Sequence, residues 1–233
     1  MALPPQSDEA FLREVDEELR RDQMTNFWRR YGRLMLIFVA LGLALFGGYL
    51  WWESESEKAA GLAGEKMNGA IEALGRGNNA AAEKALGELS IDKSDGYRAA
   101  ARMTLALRKL EQGNAASAAA DFDAVAADTS LPQPFRDAAL LRSVAATFDQ
   151  TPPAKTIERL KPLAVPDGAW FGSATELTAV SWLKLNRPDK AGPLFAALAK
   201  DSKVPATIRA RAVRIAGALG IDAVPAVAAP GKE

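Results

Sequence analysis

The sequence contains neither cysteine nor histidine. Without cysteine the chain forms no disulfides and offers no thiolate metal ligand and no thiol nucleophile. Without histidine it lacks the commonest general base and the commonest imidazole metal ligand. These two absences remove the residues on which many hydrolases and metal enzymes depend, so we expect no catalytic, cofactor-binding or metal-binding residues.

An excess of charge of either sign is also absent. The chain has 29 Lys and Arg against 29 Asp and Glu, and its formal net charge is zero. A nucleic-acid-binding surface requires basic residues in excess and clustered on one face. The composition therefore predicts no nucleic-acid partner, and no motif in the chain indicates a small-molecule substrate.

One long run, Leu34 to Trp52, lacks charge altogether. At about 1.5 Å per residue this run spans roughly 28 Å as a helix, which matches a hydrocarbon core of about 30 Å. A cleavable signal peptide would have a shorter apolar region, closer to Met1, and would lead into a small-residue cleavage site. We therefore predict an uncleaved transmembrane helix over residues 34–52.

The flanks of this run predict its orientation, because basic residues are retained on the cytoplasmic side. Five arginines precede it, at positions 20, 21, 29, 30 and 33, whereas Glu53, Glu55 and Glu57 follow it. The N-terminus is then cytoplasmic and the larger C-terminal part is exported. Since a disulfide-free exported domain fits a bacterial periplasm, we expect a single-pass protein of the bacterial inner membrane.

Within the apolar run, Ala40, Ala44 and Gly48 follow one another at intervals of four residues. Small residues at this spacing form a ridge that allows another membrane helix to approach closely. Such residues also occur in membrane helices that pair with nothing. We take the three as candidate packing residues for a second membrane helix.

The segment before the membrane, residues 1–33, is predicted to be cytosolic. Ser7 is a suitable N-cap for a helix whose first turn carries acidic residues. Apolar residues recur along that helix at helical spacing, at Phe11, Leu12, Val15 and Leu19. Two interpretations stay open: a contact helix for a membrane partner, and a solvated helix near the bilayer surface.

After the membrane, residues 53–219 show an internal repeat. A small residue is followed by a large apolar residue four positions later and another three positions after that. This pattern occurs four times, at Ala82, Leu86, Leu89; Ala118, Phe122, Val125; Thr156, Leu160, Leu163; and Ala191, Phe195, Leu198. The small residues lie 36, 38 and 35 positions apart, which predicts four helical hairpins of similar size.

The sequence also predicts where the helices of each hairpin begin and end. First helices are expected near 55–75, 96–111, 134–148 and 169–185, and second helices near 80–90, 116–127, 154–164 and 188–200. Turn residues separate the two helices of each hairpin, at Gly77-Asn78, Gly113-Asn114, Thr151-Pro152 and Asn186-Arg187-Pro188, because Gly and Asn adopt left-handed backbone and Pro opens a helix. Residues 205–219 suit a capping helix, and 220–233 a disordered tail.

An aromatic residue precedes the small residue by 21 positions in three hairpins, at Tyr97, Phe135 and Trp170. These side chains are expected to seal the junction with the preceding hairpin, with ligand contact as the alternative. Charged residues on the first helices are better candidates for contacting a partner. We take Arg98, Arg102 and Arg142 as the candidate partner-binding residues.

The repeat resembles the tetratricopeptide repeat, whose hairpins carry small residues where the two helices cross. Residues 78–89 and 114–125 match it best, whereas the early Trp and the Leu-Gly pair of the consensus are missing and Thr156 replaces the usual Ala. The resemblance implies an all-α chain: an N-terminal cytosolic helix, one transmembrane helix, and an α-solenoid of about four degenerate tetratricopeptide-like hairpins with a capping helix.

This whole arrangement is similar to the YfgM-like ancillary subunits of the SecYEG translocon. The resemblance implies a non-enzymatic scaffold whose partners are Sec translocon subunits and periplasmic chaperones or exported proteins. A competing hypothesis is an inner-membrane regulator that couples a cytosolic signalling or cell-division factor to the state of the envelope.

Overall fold

The computed structural model describes the backbone of residues 7–223 and the side chains of residues 29–223. This part of the chain contains nine α-helices and no strand, so the all-α prediction is confirmed. The helices are α1 Ser7–Gly75, α2 Asn79–Leu89, α3 Asp95–Glu111, α4 Ala115–Ala127, α5 Gln133–Ala146, α6 Pro153–Leu160, α7 Phe171–Lys184, α8 Pro188–Lys200 and α9 Ala206–Ala218.

Contacts divide the chain into two compact units, Met1–Ala59 and Ala60–Glu233. Helix α1 begins in the first unit and ends in the second. The cytosolic, transmembrane and first repeat segments predicted from the sequence are therefore parts of one helix. Proline kinks or breaks a helix when it lies in the interior, and none occurs between Ser7 and Gly75. The boundaries at residues 33 and 52 stay predictions.

The first unit contains the chain's long apolar run. Within Arg29–Gly75 one helical stretch is long and apolar enough to cross a membrane, and none of it is buried. Its large side chains are open to the surroundings, with Phe38 69% and Trp51 71% exposed. The side chains of Phe11, Leu12, Val15 and Leu19, which form the predicted contact stripe, lie outside the described residues, as does that of Ser7.

The second unit consists of successive helix pairs. Each of the helices α2 to α9 contacts the next one along the chain. We call α3, α5 and α7, together with residues 60–75 of α1, the first helices, and α2, α4, α6 and α8 the second helices. Helices α3, α5, α7 and α9 also pack against one another in succession, whereas the backbones of the described second helices lie farther apart.

Residues with left-handed backbone connect the two helices in three of the four pairs, as predicted from the sequence. Gly77 and Gly113 have φ angles of 76° and 83°, and Asn186 has a φ of 56°. Asn78 then caps α2, because its side-chain oxygen accepts a hydrogen bond from the backbone N–H of Ala81 at 3.3 Å. In the remaining pair, Pro152 and Pro153 open α6 instead.

The core follows the repeat. All twelve residues of the predicted pattern are buried, from Ala82 to Leu198, and none is more than 6% exposed. The first helices contribute a matching set of small or β-branched residues, namely Ala70, Ala106, Val144 and Ala179, all of them buried. Small side chains on both helices of a pair let the two backbones approach closely, and the larger residues fill the space beside the crossing.

Two ends differ from the predicted boundaries. Helix α6 ends at Leu160, four residues early, because Pro162 has no N–H to donate to the carbonyl of Glu158.

At the C-terminus, Ala223 is 2% exposed and Ile221 packs against the core of α7, α8 and α9. A Cβ atom on the buried Gly192 would collide with the Ile221 side chain. The packed chain therefore extends past Leu219, into the segment predicted as a tail; residues 224–233 lie outside the described part.

Four ion pairs connect one part of the second unit to the part about one repeat further along the chain. Each joins residues 35 or 36 positions apart: Asp123 with Arg159, Asp149 with Lys184, Asp167 with Lys203, and Glu176 with Arg211. The last is bidentate, with both N···O distances 2.7 Å. All four lie between α4 and α9, so polar contacts supplement the apolar core in the later pairs.

Candidate functional site

The first helices leave one side uncovered, which we call the inner face. Four apolar residues occupy the same register position on it, 36, 38 and 35 residues apart: Ile71, Leu107, Ala145 and Val180. Ile71 is 56% and Leu107 37% exposed, Ala145 is exposed and Val180 half-buried. Consecutive first helices pack side by side, so these residues occupy corresponding positions on neighbouring helices; we call the four residues the inner stripe, in which Val180 also packs against the core.

The inner stripe was missed in the sequence, although its signal was present. Its spacing equals that of the buried small residues, but a repeated apolar residue on a helix is more often core than surface. Exposure of Ile71 and Leu107 is what distinguishes the stripe from the core. Exposed apolar surface of this kind is typical of places where a protein contacts a partner.

Arg142 lies on the inner face, one helical turn before Ala145 on α5. Its side chain is exposed, and it forms no hydrogen bond or ion pair with the described residues. Residues three apart on a helix are neighbours on its surface. Arg142 therefore places a positive charge beside the inner stripe.

Arg98 and Arg102 lie on a different side of their helix. The position on α3 equivalent to Arg142 is Thr104, and side chains two residues apart on a helix point about 200° away from each other. The structure therefore does not bring the three predicted arginines together. Arg102 instead lines a groove between the second helices α2 and α4, which we call the outer groove, and Arg98 lies one turn before it on α3.

Arg98 and Arg102 both donate hydrogen bonds to the loops beside the outer groove. Arg98 donates to the backbone oxygen of Asp92 at 2.9 Å, to Asp95 at 2.7 Å and to Ser130 at 3.1 Å. Arg102 donates to the backbone oxygen of Ser90 at 3.0 Å and to Asp128 at 2.8 Å. Each arginine thus connects the loop after α2 with the loop after α4, a structural role that leaves few donors for a partner.

The Asp128 carboxylate is the most heavily bonded acceptor in this groove. It accepts hydrogen bonds from the hydroxyl of Ser130 at 2.6 Å and from its backbone N–H at 3.0 Å, in addition to Arg102. The Ser130 bonds, more than Arg102, hold the pKa of Asp128 below its ordinary value. A carboxylate stabilised in its charged form in this way fixes the end of α4.

Two shallow cavities make up the outer groove. One of about 250 Å³ is lined by Ser90, Arg102, Leu105, Asp121, Ala124 and Val125. The other, of about 320 Å³, shares Leu105 and Asp121 and extends to Glu83 and Gln112. Lys109 crosses the groove to Asp121 at 2.5 Å, so an ion pair spans the groove.

The repeated aromatic residues pack inward. Tyr97 belongs to the cluster of Ala63, Met67 and Leu86, and its hydroxyl would lie 2.7 Å from a Cβ atom on Gly64. Phe135 packs with the core of α3 and α4, and Trp170 with the core of α5 and α6. Each therefore packs at the junction with the preceding pair, as predicted.

Acidic residues do not converge on a reactive or metal-binding centre in the described part of the chain. No group of three or more Asp or Glu residues there could hold a metal ion. Asp121 and Asp123, two residues apart on α4, point to different partners, Lys109 on α3 and Arg159 on α6. Nothing in the described arrangement indicates catalysis.

The membrane-helix candidates Ala40, Ala44 and Gly48 are exposed on one side of α1. A Cβ atom on Gly48 would meet no atom within 4 Å. The ridge is therefore accessible to a neighbouring helix, and its role in packing stays a prediction.

Comparison with known proteins gives one match. The family described as a tetratricopeptide repeat-like domain matches residues 25–211, a range that begins ahead of the apolar run and ends within α9. No curated protein and no solved structure matches the chain. The match covers the inner face, the outer groove and all four helix pairs.

Proposed function

Because the chain belongs to the tetratricopeptide repeat-like domain family, we propose that it is a membrane-anchored scaffold that binds other proteins through its inner face. Domains of this family are typically non-enzymatic modules for protein–protein interaction. The observation that carries the proposal is the inner stripe, whose exposed residues recur at one position of successive first helices. We further propose that the pairs form a solenoid, since stacked hairpins offer an extended surface along which a partner lies.

The anchor is residues 34–52 of α1. Large apolar side chains with no protein cover, such as Phe38 and Trp51, are stable when lipid surrounds them. The arginines before the run support a cytoplasmic N-terminus, and the second unit is then periplasmic in a bacterial inner membrane. The ridge of Ala40, Ala44 and Gly48 is proposed to pack against a membrane helix of the partner.

The resemblance to ancillary translocon subunits suggests which partners these are. We propose Sec translocon subunits for the membrane helix, and periplasmic chaperones or newly exported chains for the inner face. Anchoring next to the channel raises the effective concentration of the second unit there, so that a weak interaction with the inner face suffices.

In-cell photo-crosslinking tests the proposal. A photoreactive amino acid is placed at position 44 in the membrane ridge, at position 107 in the inner stripe, or at position 155 on α6 as a control away from both. Translocon subunits captured at position 44, with chaperones or exported proteins at position 107 and neither at 155, are expected. Capture of signalling or division proteins with no channel component would instead support the regulator hypothesis.

Deletion of residues 1–25 separates the same two hypotheses. A scaffold at the channel keeps its crosslinks at positions 44 and 107 when this segment is removed. A regulator that works through a cytosolic factor loses its partner, because the predicted contact residues Phe11 to Leu19 are deleted.

A further inference from the structure

We infer that the segment bound by the inner face is extended and carries an acidic side chain, held by Arg142, between two apolar side chains. This inference rests on the proposed function, because it describes the partner of the same face. Its two supports are the charge of that face and the spacing of its helices.

One charged residue of the inner face has no partner of opposite charge among the described residues. On α3 and α7 and just after α5, its other charged side chains are in ion pairs: Glu111 with Arg108 at 2.7 Å, Asp149 with Lys184 at 2.8 Å, and Glu176 with Arg211 at 2.7 Å. Arg142 alone among them has no acidic partner in the described chain. A guanidinium in this position matches a carboxylate with two parallel hydrogen bonds.

The surroundings of Arg142 distinguish this face from a general anion site. Ala145 lies one turn away on the same helix, and Leu107 and Val180 occupy the equivalent positions on the two neighbouring first helices. A small anion would leave this apolar strip exposed to water. A protein segment covers the strip and supplies the carboxylate together, which decides in favour of a polypeptide.

The spacing of the helices sets the spacing of the segment. Packed helices lie about 8–10 Å apart, and a segment in the extended polyproline II conformation advances about 3.1 Å per residue with three residues per turn, so that its side chains at intervals of three point to the same side. A segment that runs across α3, α5 and α7 therefore moves about three residues from one helix to the next. The expected pattern is an apolar residue on Leu107, Asp or Glu on Arg142 three residues away, and an apolar residue on Val180 after three more.

Peptide selection tests this pattern. The full chain, in lipid nanodiscs, is used to select from a phage-displayed library of random 12-residue peptides, with empty nanodiscs as background. The variants are Arg142→Gln, Leu107→Asp, and the matched control Lys155→Gln, which removes a positive charge from the second helix α6. Circular dichroism verifies that each variant is folded.

Wild type and Lys155→Gln are expected to enrich peptides with an acidic residue three positions from apolar residues on both sides. Arg142→Gln is expected to keep the apolar preference and lose the acidic one. The best selected peptide should bind wild type at least roughly tenfold more tightly than its Asp→Asn or Glu→Gln twin, as measured by fluorescence anisotropy. This difference should disappear in Arg142→Gln.

Three other outcomes overturn the inference, and they differ in what else fails. If Leu107→Asp abolishes selection but Arg142→Gln leaves the acidic content unchanged, the inner face binds proteins and Arg142 does not read their charge. If no peptide is enriched, or Leu107→Asp selects the same peptides, the inner face is not the binding surface and the proposed function fails with it. Enrichment with a seven-residue spacing would show a helical partner and overturn the extended one.

Discussion

Residues 34–52 and the helix pairs of the second unit treat large apolar side chains in opposite ways. In the first region Phe38 is 69% exposed, whereas in the second Phe122 and Phe195 are 1% and 0% exposed. The second unit also has small residues at each place where two helices cross, whereas no helix crossing is described for residues 34–52. The difference teaches that each region is built for its own surroundings: a continuous apolar exterior suits lipid, and a repeated small-to-large pattern suits packing against itself.

The largest expected effect comes from removing one large side chain from each region and comparing the losses in stability. Phe195→Ala leaves a cavity in the packed core of α7, α8 and α9 and should lower the free energy of unfolding by about 3–5 kcal/mol. Phe38→Ala removes the same group from an exposed position and should change the unfolding of the second unit by less than about 0.5 kcal/mol. Chemical denaturation in detergent, followed by circular dichroism, measures both; equal losses would refute the contrast.

A charged residue placed in each region tests whether residues 34–52 are the segment surrounded by lipid. Leu43→Arg places a guanidinium in the apolar run, at a cost of about 2.5–3.5 kcal/mol at the centre of a membrane helix. The fraction of protein that resists carbonate extraction from membranes should fall. The matched change Leu107→Arg, on the inner stripe, should leave that fraction unchanged. Full retention of Leu43→Arg would count against residues 34–52 as the spanning segment.

Buried hydroxyls sharpen the description of the packed region. Thr156 occupies the small position of α6, is 0% exposed, and its hydroxyl has no hydrogen-bond partner among the described residues. Thr156→Val keeps the shape and removes the unbonded hydroxyl, so it should raise the free energy of unfolding by about 1 kcal/mol.

Thr178 provides the control for that substitution. It is also buried, but its hydroxyl donates to the carbonyl of Ala174 at 2.8 Å. Thr178→Val should therefore give no gain in the same denaturation experiment. A gain in both variants would mean that the missing bond at Thr156 is not the cause.

The smallest effect concerns the outer groove and its pH dependence. The folded-state pKa of Asp128 is lowered, first by Ser130 and then by Arg102, so its stabilising contribution is present above the unfolded-state pKa of about 3.9 and is lost as pH falls below that value. Asp128→Asn should lower Tm at pH 7 by a few degrees at most and weaken the decline of Tm between pH 5 and 3.

Arg102→Gln separates the two causes. It removes the ion pair and keeps both Ser130 hydrogen bonds, so its effect on the decline of Tm should be smaller than that of Asp128→Asn. A larger effect would show that the arginine, and not the Ser130 hydroxyl, is the main support of the carboxylate.

Much of the fold was predictable because one pattern determined several features together. The spacing from Ala82 to Ala191 predicted the buried core, and Gly77, Gly113 and Asn186 predicted the turns. The early end of α6 was also signalled, by Pro162, but the apolar spacing that continues to Leu163 was given more weight. The continuity of α1 could not be read from hydropathy, because a change of composition at Glu53 does not interrupt backbone hydrogen bonds.

The candidate site was less predictable. The sequence showed that Arg98, Arg102 and Arg142 lie on first helices, but not which side of the helix pairs each would face. The partners of Arg102 are the carbonyl of Ser90 and the side chain of Asp128, 12 and 26 residues away. Such contacts depend on where the loops end in space, which spacing along the chain does not encode.

The ion pairs between positions 35 or 36 residues apart have a consequence for how such a chain can grow. Each of these pairs, such as Glu176 with Arg211, connects one copy of a unit to the next. A tandem duplication of one repeat of the gene would copy only one member of such a pair, because the two members lie one repeat apart, and the new junction would then face two side chains of like charge. Growth by whole units therefore requires a compensating charge substitution at each new junction.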